Sequence, residues 1–139
     1  MKRAVLLIGV VLLLAACGGG GGSGSDQEQV KEVWTKFFSA KTPVSEKPAM
    51  VTDGERFKSA IMELANNPLA AGLSAKVSKV TLQGADTAKV VFSIYLNNIA
   101  AFRDQVGYAY KRDGKWLVGS DDLCKLVEAG GTTPKACTT

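Results

Sequence analysis

The spacing of apolar residues changes from a helical to an extended period near Ala75, and this change constrains the fold of the chain. Before this point apolar residues recur at three- and four-residue intervals, which predicts helices with one buried face. After it apolar and polar residues alternate, which predicts strands with one buried face. Helices that precede sequential strands indicate an α+β domain with an antiparallel sheet.

Two helices are predicted in the first part of the domain. The first spans Asp26 to Ala40 and carries one apolar stripe, formed by Val30, Val33, Trp34, Phe37 and Phe38. A short second helix is predicted from Ser45 to Val51. Ser45 is a favourable cap, and Pro48 is tolerated in a first helical turn.

A third helix is predicted from a capping-box sequence. Thr52 and Glu55 have the Thr-x-x-Glu spacing in which each side chain bonds a backbone N–H at the helix start. The helix runs to Asn66 or Asn67, and Pro68 follows as a stop signal. Its apolar stripe consists of Phe57, Ala60, Ile61, Leu64 and Ala65.

Two strands are predicted directly after the change of period. The first begins at Ala75. Strict alternation puts Val80 and Leu82 on one of its faces and Val77 on the other. A turn around Gly84 leads to a long second strand, whose buried face is formed by Ala88, Val90, Phe92, Ile94 and Leu96.

A hairpin of two further strands is predicted next. The third strand spans Gln105 to Lys111. Asp113-Gly114 is typical of a tight turn into the fourth strand, which starts at Trp116. The turn has either two or four residues, so the sequence leaves the pairing register open.

A short last helix is predicted from Ser120 or Asp121 to about Glu128. The pair Asp121 and Asp122 is interpreted as a helix cap and as partners of the helix dipole, rather than as a metal site. The predicted fold is therefore three N-terminal helices packed on a curved antiparallel four-stranded sheet, followed by a short C-terminal helix.

The N-terminus has the pattern of an export signal. A basic start is followed by an apolar run that is too short to cross a membrane, since a span needs about 20 apolar residues. Leu14-Ala15-Ala16-Cys17 resembles a bacterial lipobox, in which the signal, here residues 1–16, is removed and the cysteine receives lipid. Ordinary secretion and an uncleaved anchor are the alternatives.

A linker separates this signal from the domain. Residues 18–25 read GGGGGSGS, a composition typical of a flexible coil. With lipidated Cys17 they form a tether over residues 17–25, ahead of a single domain over residues 26–139. We expect the chain to be anchored through acyl chains on the extracytoplasmic face of the cell membrane, with partial release left open.

The cysteine count fits an exported protein. The chain has three cysteines, and lipid on Cys17 leaves Cys124 and Cys137 as a pair. In an exported protein such a pair is expected to form a disulfide, and two reduced thiols are the alternative.

The composition limits the kinds of ligand and partner that the sequence predicts. The chain has no histidine, which removes the commonest general base and metal ligand, and we expect neither a metal nor a cofactor. Without Lys2 and Arg3 of the signal, 15 basic and 13 acidic residues remain, a net charge of +2. This charge is too small to indicate a nucleic-acid partner.

Several sequence pieces in one order resemble the actinobacterial low-molecular-weight antigen family of exported proteins and lipoproteins. They cover about residues 28–137 and are Trp34-x-x-Phe37-Phe38, a Pro-containing segment around Lys47, a strand ending in Val80, Ala88-x-Val90-x-Phe92-Ser93-Ile94, Asp113-Gly114-Lys115-Trp116-x-Val118, Leu123-Cys124-x-Leu126 and Pro134-x-x-Cys137. The resemblance implies a cone-shaped fold similar to nuclear transport factor 2, a Cys124–Cys137 disulfide, a surface location and no known enzymatic activity.

Cone folds can enclose a pocket, and some are enzymes that use an aspartate with a tyrosine in an apolar site. Here the candidates are Asp104 with Tyr95, Tyr108 or Tyr110. Asp104 lies at a strand edge, where a solvated carboxylate is the ordinary outcome. We therefore predict no catalytic residue.

The expected role is that of a lipid-anchored, non-catalytic interaction module of the cell envelope. It would meet an envelope protein, or a second copy of itself, through an exposed sheet face carrying Val91 and Tyr95. The alternative is a carrier of a small apolar ligand or lipid fragment. Its pocket would be lined by Trp34, Phe38, Phe57, Phe92 and Tyr95, although the same residues would also serve as a dry core.

Overall fold

The computed structural model describes residues 23–129, 131 and 133–138. Its helices are α1 (Ser23–Phe38), α2 (Gly54–Ala65) and α3 (Ser120–Ala129). Its strands are β1 (Leu73–Leu82), β2 (Thr87–Leu96), β3 (Ile99–Arg112) and β4 (Lys115–Val118). Short 3₁₀ segments lie at Lys47–Met50, Pro68–Gly72 and Lys135–Cys137. The predicted signal, Cys17 and residues 18–22 of the predicted tether lie outside the described residues, whereas residues 23–25, which were predicted to end the tether, are helical and begin α1.

The α+β class and the curved antiparallel sheet are confirmed. The strands follow one another in the order β1-β2-β3-β4 and curl into a half-barrel. The prediction of three N-terminal helices is wrong, because among the described residues two α-helices, α1 and α2, precede the sheet, and the segment expected as a second helix forms only a 3₁₀ turn, Lys47–Met50. The short helix predicted after the last strand is present as α3. Val51 ends that turn by becoming extended and pairing with Val118 in a parallel bridge.

The core lies between α1 and the concave face of the sheet. The apolar face predicted for β2 is confirmed, since Ala88, Val90, Phe92 and Ile94 are buried. The stripe of α1 packs on this face, and the Trp34 ring lies 4.3 Å from the Phe92 ring between centroids. Trp34 is fully buried, so this contact holds the helix against the middle of the sheet.

Strand β3 makes room for this tryptophan with small residues. Gly107 and Ala109 are buried on its concave face. A Cβ atom at Gly107 would lie 2.5 Å from Cη2 of Trp34, closer than carbon atoms can approach. A glycine is therefore required here by close packing.

The capping box predicted at Thr52 is wrong. The residue before α2 is Asp53, which has a left-handed backbone (φ 56°) and no side-chain cap bond. The Thr52 hydroxyl instead donates to Oγ of Ser120 (3.1 Å) and accepts from the Ser120 backbone N–H (2.9 Å). The hydroxyl that the local spacing predicted to cap α2 is thus hydrogen-bonded to a distant residue at the start of α3.

Strand β1 departs from strict alternation. Its pairing with β2 shifts between Val77 and Lys79, which leaves Ser78 as a bulge. Val77 is therefore buried on the same side as Val80 and Leu82, which pack against the core, and not on the opposite side as predicted. Bulges bend a strand and increase its twist, and here they accompany the curl of the sheet.

Strand β3 is longer than predicted and also contains a bulge. It begins at Ile99, after a two-residue turn in which Asn97 and Asn98 both have positive φ. The pairing with β2 shifts near Asp104, which has φ 49°. This shift turns Phe102 to the concave side, where it pairs with Ile94.

The hairpin between β3 and β4 has the two-residue Asp113-Gly114 turn, because Arg112 pairs with Lys115. The register that the sequence left open is thereby fixed, and Tyr110 lies opposite Leu117.

An ion pair joins the start of α1 to this hairpin. The Asp26 carboxylate accepts from the Trp116 indole N–H (3.0 Å) and from the Lys111 ammonium (3.1 Å). These hydrogen bonds lower the pKa of Asp26 below its ordinary value. The sequence indicated Asp26 only as the first residue of the predicted helix.

Cys124 and Cys137 form the expected disulfide, with Cα atoms 5.6 Å apart. It ties α3 to the C-terminal 3₁₀ segment, and closure of a loop of this length stabilises a fold by about 3 kcal/mol in the chain-entropy model. Within the described residues, no helix has the length and apolar character needed to span a membrane.

Replacing Gly107 by alanine should destabilise the protein, because the added methyl group would overlap the Trp34 ring. We expect a loss of about 1–3 kcal/mol in the free energy of unfolding, measured by urea denaturation. Gly24→Ala is the control, since no atom lies within 4 Å of a Cβ at that exposed helical position. The control should be neutral or slightly stabilising, and equal effects of the two variants would contradict the packing argument.

Candidate functional site

An apolar cavity of about 250 Å³ lies at one end of the half-barrel. It is bounded by the end of α1, by α2 and α3, and by the edge of the sheet where β2 runs into β3. The lining residues are Phe37, Phe38, Lys47, Ile61, Leu64, Ala65, Asn67, Leu69, Ala70, Leu73, Ile94, Leu96, Phe102, Leu123, Leu126 and Val127.

The cavity exists because the core is incomplete at this end. Leu64, Leu73 and Leu126 belong to apolar faces of three different elements, yet each is only half-buried. Leu69 lines the cavity and is also 60% exposed, so it lies at the opening to solvent. An incompletely covered apolar surface of this kind favours binding of an apolar group, since covering it removes the surface from water.

Of the five residues predicted to line a pocket, Phe38 lies in the cavity wall. Trp34 and Phe92 are fully buried behind it, and their rings contact the Phe38 ring at centroid distances of 5.5 and 5.9 Å. Phe57 is buried in α2, and Tyr95 is half-buried on β2; neither lines the cavity.

Sequence reasoning did not select most of the lining. The spacing of Leu123, Leu126 and Val127 in α3 is a helical stripe, which indicates a buried face but not an open one. Phe102 lies between the predicted second and third strands, and its orientation depends on the bulge near Asp104. The sequence shows that these residues are apolar, whereas the space between them arises only from the packing of the elements.

Lys47 is the one charged residue among the described residues that line the cavity. Its ammonium group donates to the backbone carbonyl of Ser39 (3.0 Å), directly after the end of α1. Burial lowers the pKa of Lys47, because desolvation disfavours the charged form.

A buried carboxylate joins α3 to the sheet on another side of the core. Asp122 is 4% exposed and accepts from the backbone N–H of Tyr108 at 2.6 Å. Lys125 approaches it at 3.4 Å from solvent. The interpretation of Asp122 as a helix cap is wrong, since the Gly119 carbonyl receives the first N–H bonds of α3 and the Asp122 side chain turns into the core.

Burial raises the pKa of Asp122 above its ordinary value, because the charged form loses hydration. The Tyr108 N–H and the nearby Lys125 oppose this shift in part. The carboxylate contacts strand backbone and does not line the cavity. Its geometry is that of a structural clip between α3 and β3.

The acid and phenol side chains considered for catalysis are not brought together in a site. Asp104 is exposed at the bulge of β3, where its backbone N–H donates to the Ser93 hydroxyl (3.1 Å). No hydrogen bond within the described residues joins its carboxylate to a tyrosine hydroxyl. The same part of the chain contains no group of three or more His, Cys, Asp or Glu side chains arranged to hold a metal ion.

The outer face of the sheet carries a small apolar pair. Val91 on β2 lies directly opposite Val106 on β3, and Val106 is 47% exposed. Tyr95, predicted to belong to an exposed row with Val91, is half-buried at the end of β2.

A family model described as the low molecular weight antigen MTB12 C-terminal domain matches residues 25–134. The chain belongs to this family. The matched range contains α1 from Ser25 onward, all of α2 and α3, the whole sheet and every described residue that lines the cavity. The resemblance seen in the sequence is therefore confirmed at the level of the family. No curated protein matches the chain significantly.

Replacing Asp122 by asparagine should remove a pH-dependent loss in the free energy of unfolding. In the folded chain this acid has a raised pKa, so above its ordinary value of 3.8 the folded state binds more protons than the unfolded state. The contribution of Asp122 to stability therefore falls as pH rises through this window. We expect the stability of Asp122→Asn, relative to the parent, to increase from about pH 3.5 to about pH 7 in urea denaturation.

Asp122→Ala separates the charge from the hydrogen bond. Its stability should show the same trend with pH as that of Asp122→Asn. At every pH it should be lower than that of Asp122→Asn by about 1–3 kcal/mol, because the Tyr108 N–H loses its acceptor. A stability difference between Asp122→Asn and the parent that stays constant or decreases with pH would contradict the argument.

Proposed function

We propose that this chain is a membrane-tethered, non-catalytic binding domain that holds a small apolar molecule in the cavity between α2, α3 and the sheet. The observation that carries the proposal is the cavity itself. It has about 250 Å³ of space, and in the described part of the chain only Lys47 and Asn67 contribute polar side chains to its lining.

The size of the cavity fits a small ligand. Ligand pockets commonly enclose about 300–1,000 Å³, and an engineered apolar cavity of about 150 Å³ is sufficient to bind benzene. The present cavity lies between these values and opens to solvent beside Leu69, so a longer chain could extend out of it. Lining by leucine and phenylalanine favours hydrocarbon over polar ligands.

The tether supports a place at the membrane. Leu14-Ala15-Ala16-Cys17 has the pattern of a lipidation signal, and the Gly/Ser run after it has the composition of a flexible linker. A lipid on Cys17 would hold the domain on the extracytoplasmic face, and release of part of the protein is compatible with the same signal. The curved sheet with helices closing one end also supports a cone similar to that of nuclear transport factor 2.

The outer sheet face supports a second candidate function, contact with a second copy of the chain. The specific observation is the cross-strand pair Val91 and Val106, because the Val106 side chain remains substantially exposed. The pair is small compared with a stable protein interface, which buries about 1,200–2,000 Å². The cavity is therefore the better supported site.

Filling the cavity should abolish ligand binding without disturbing the fold. Ala70 lines the cavity in the 3₁₀ segment Pro68–Gly72. We expect Ala70→Phe to weaken binding of the neutral fluorescent probe N-phenyl-1-naphthylamine by at least about tenfold, which corresponds to about 1.4 kcal/mol. The measurement is a fluorescence titration of the purified domain.

Ala101→Phe is the matched control, because Ala101 is exposed on β3 and does not line the cavity. It should bind the probe like the parent. Failure of the parent itself to bind would remove the proposed function and leave contact through the outer sheet face as the candidate.

The tether is tested on protein isolated from its own membrane. Mass spectrometry should find acyl groups on Cys17 as the first residue of the mature chain. Cys17→Ser should lose both the acyl mass and the membrane fraction, whereas Ser25→Ala, in the first turn of α1, should keep them. An unmodified Cys17, or mature protein that retains residues 1–16, would contradict the proposed anchor.

A further inference from the structure

Lys47 gives the cavity a single positive charge at a defined place. The residue begins the 3₁₀ segment Lys47–Met50 and is half-buried, with the buried ring of Pro48 next to it. The Lys47 ammonium bonds to the carbonyl of Ser39, which follows the wall residues Phe37 and Phe38 in the chain. Charge and hydrocarbon surface therefore meet on one side of the cavity.

The ammonium group is only partly satisfied by the protein. It has three hydrogen-bond donors, and in the described part of the chain one of them has an acceptor, the Ser39 carbonyl. No carboxylate among residues 23–129, 131 and 133–138 lies within 4.0 Å of it, although four other ion pairs form there. A half-buried cation without a counter-ion is costly, and its ordinary solution in proteins is an anionic partner.

The bond to Ser39 also gives Lys47 a structural role, since a cation near the last carbonyls of a helix is favourable. This role needs only one of the three donors. It does not explain why the charge lies in the wall of an otherwise apolar cavity. A solvent-exposed lysine could donate a hydrogen bond to the same carbonyl.

We infer that the cavity takes a single-chain amphiphile whose anionic head, a carboxylate or a phosphate, binds the Lys47 ammonium while its hydrocarbon chain lies against the leucines and phenylalanines of the lining. The inference rests on the proposed binding function and specifies the class of ligand. The head supplies the missing counter-ion, and the chain covers the half-buried apolar surface.

The test compares ligands that share a chain and differ in the head. Decanoate, decyl phosphate and decanol are titrated by calorimetry into the parent domain and into Lys47→Met, which keeps most of the side-chain volume and removes the charge. We expect Lys47→Met to weaken the binding of decanoate or of decyl phosphate by about tenfold or more, the range of a charge-assisted hydrogen bond. The affinity for decanol should change by less than about twofold. The anion whose affinity falls more strongly identifies the head group.

Two further variants keep the test decisive. Lys47→Arg retains the charge and should retain anion binding, and it remains informative if Lys47→Met does not fold because the Ser39 carbonyl loses its donor. Lys58→Met removes one charge from the exposed face of α2, outside the cavity, and should leave every affinity unchanged.

The two levels of the proposal fail in different ways. The assignment of the head group is overturned if Lys47→Met weakens the binding of decanol and of both anions equally. It is also overturned if Lys58→Met loses anion binding to the same extent as Lys47→Met. In both cases the cavity still binds ligand. Absence of binding of all three ligands to the parent would overturn the proposed function as well.

Discussion

The contact between Trp34 and the concave face of the sheet is the constraint on which the rest of the structure depends. The ring is fully buried, lies against Phe92 and occupies the space that a side chain at Gly107 would need. Because β3 carries no side chain there, α1 sits deep in the curled sheet. Asp122, whose carboxyl carbon would also be close to a Cβ at Gly107, can reach the backbone of β3 from the other direction. One glycine thus permits two helices to approach the same strand.

Sequence patterns predicted the elements whose structure depends on local periodicity. The stripe of α1, the buried face of β2 and the Asp113-Gly114 turn each follow from spacing or turn chemistry, and each is present. The errors occur where a distant residue competes with a local pattern. Thr52 has a good capping sequence, yet its hydroxyl bonds Ser120, and Val51 leaves the helical region to pair with Val118. Bulges are a second source of error, because one extra residue reverses which side chains face the core.

The candidate site was harder to predict than the core, for a physical reason. A residue that lines a cavity and a residue that fills a core have the same apolar character, and they differ only in whether a neighbour occupies the adjacent space. Phe38 and Phe92 are equally hydrophobic, but Phe38 lies at the end of the half-barrel where it lines the cavity together with residues of α2 and α3. Lys47 was visible in the sequence only as part of a Pro-containing segment. Its importance comes from the absence of a nearby carboxylate in the described structure, which no local pattern encodes.

The direction of α1 has a consequence for how a molecule anchored at its N-terminus would be oriented. Asp26 fixes the first turn of the helix beside Trp116, whereas Phe37 and Phe38 at its other end form part of the cavity wall. At 1.5 Å per residue, the helix separates Asp26 from Phe38 by about 18 Å. If lipid is attached at position 17 as proposed, the part of the cavity wall formed by Phe37 and Phe38 would lie at the end of α1 farther from the point of attachment. An apolar ligand would then reach the cavity from the side of the domain that faces away from the bilayer.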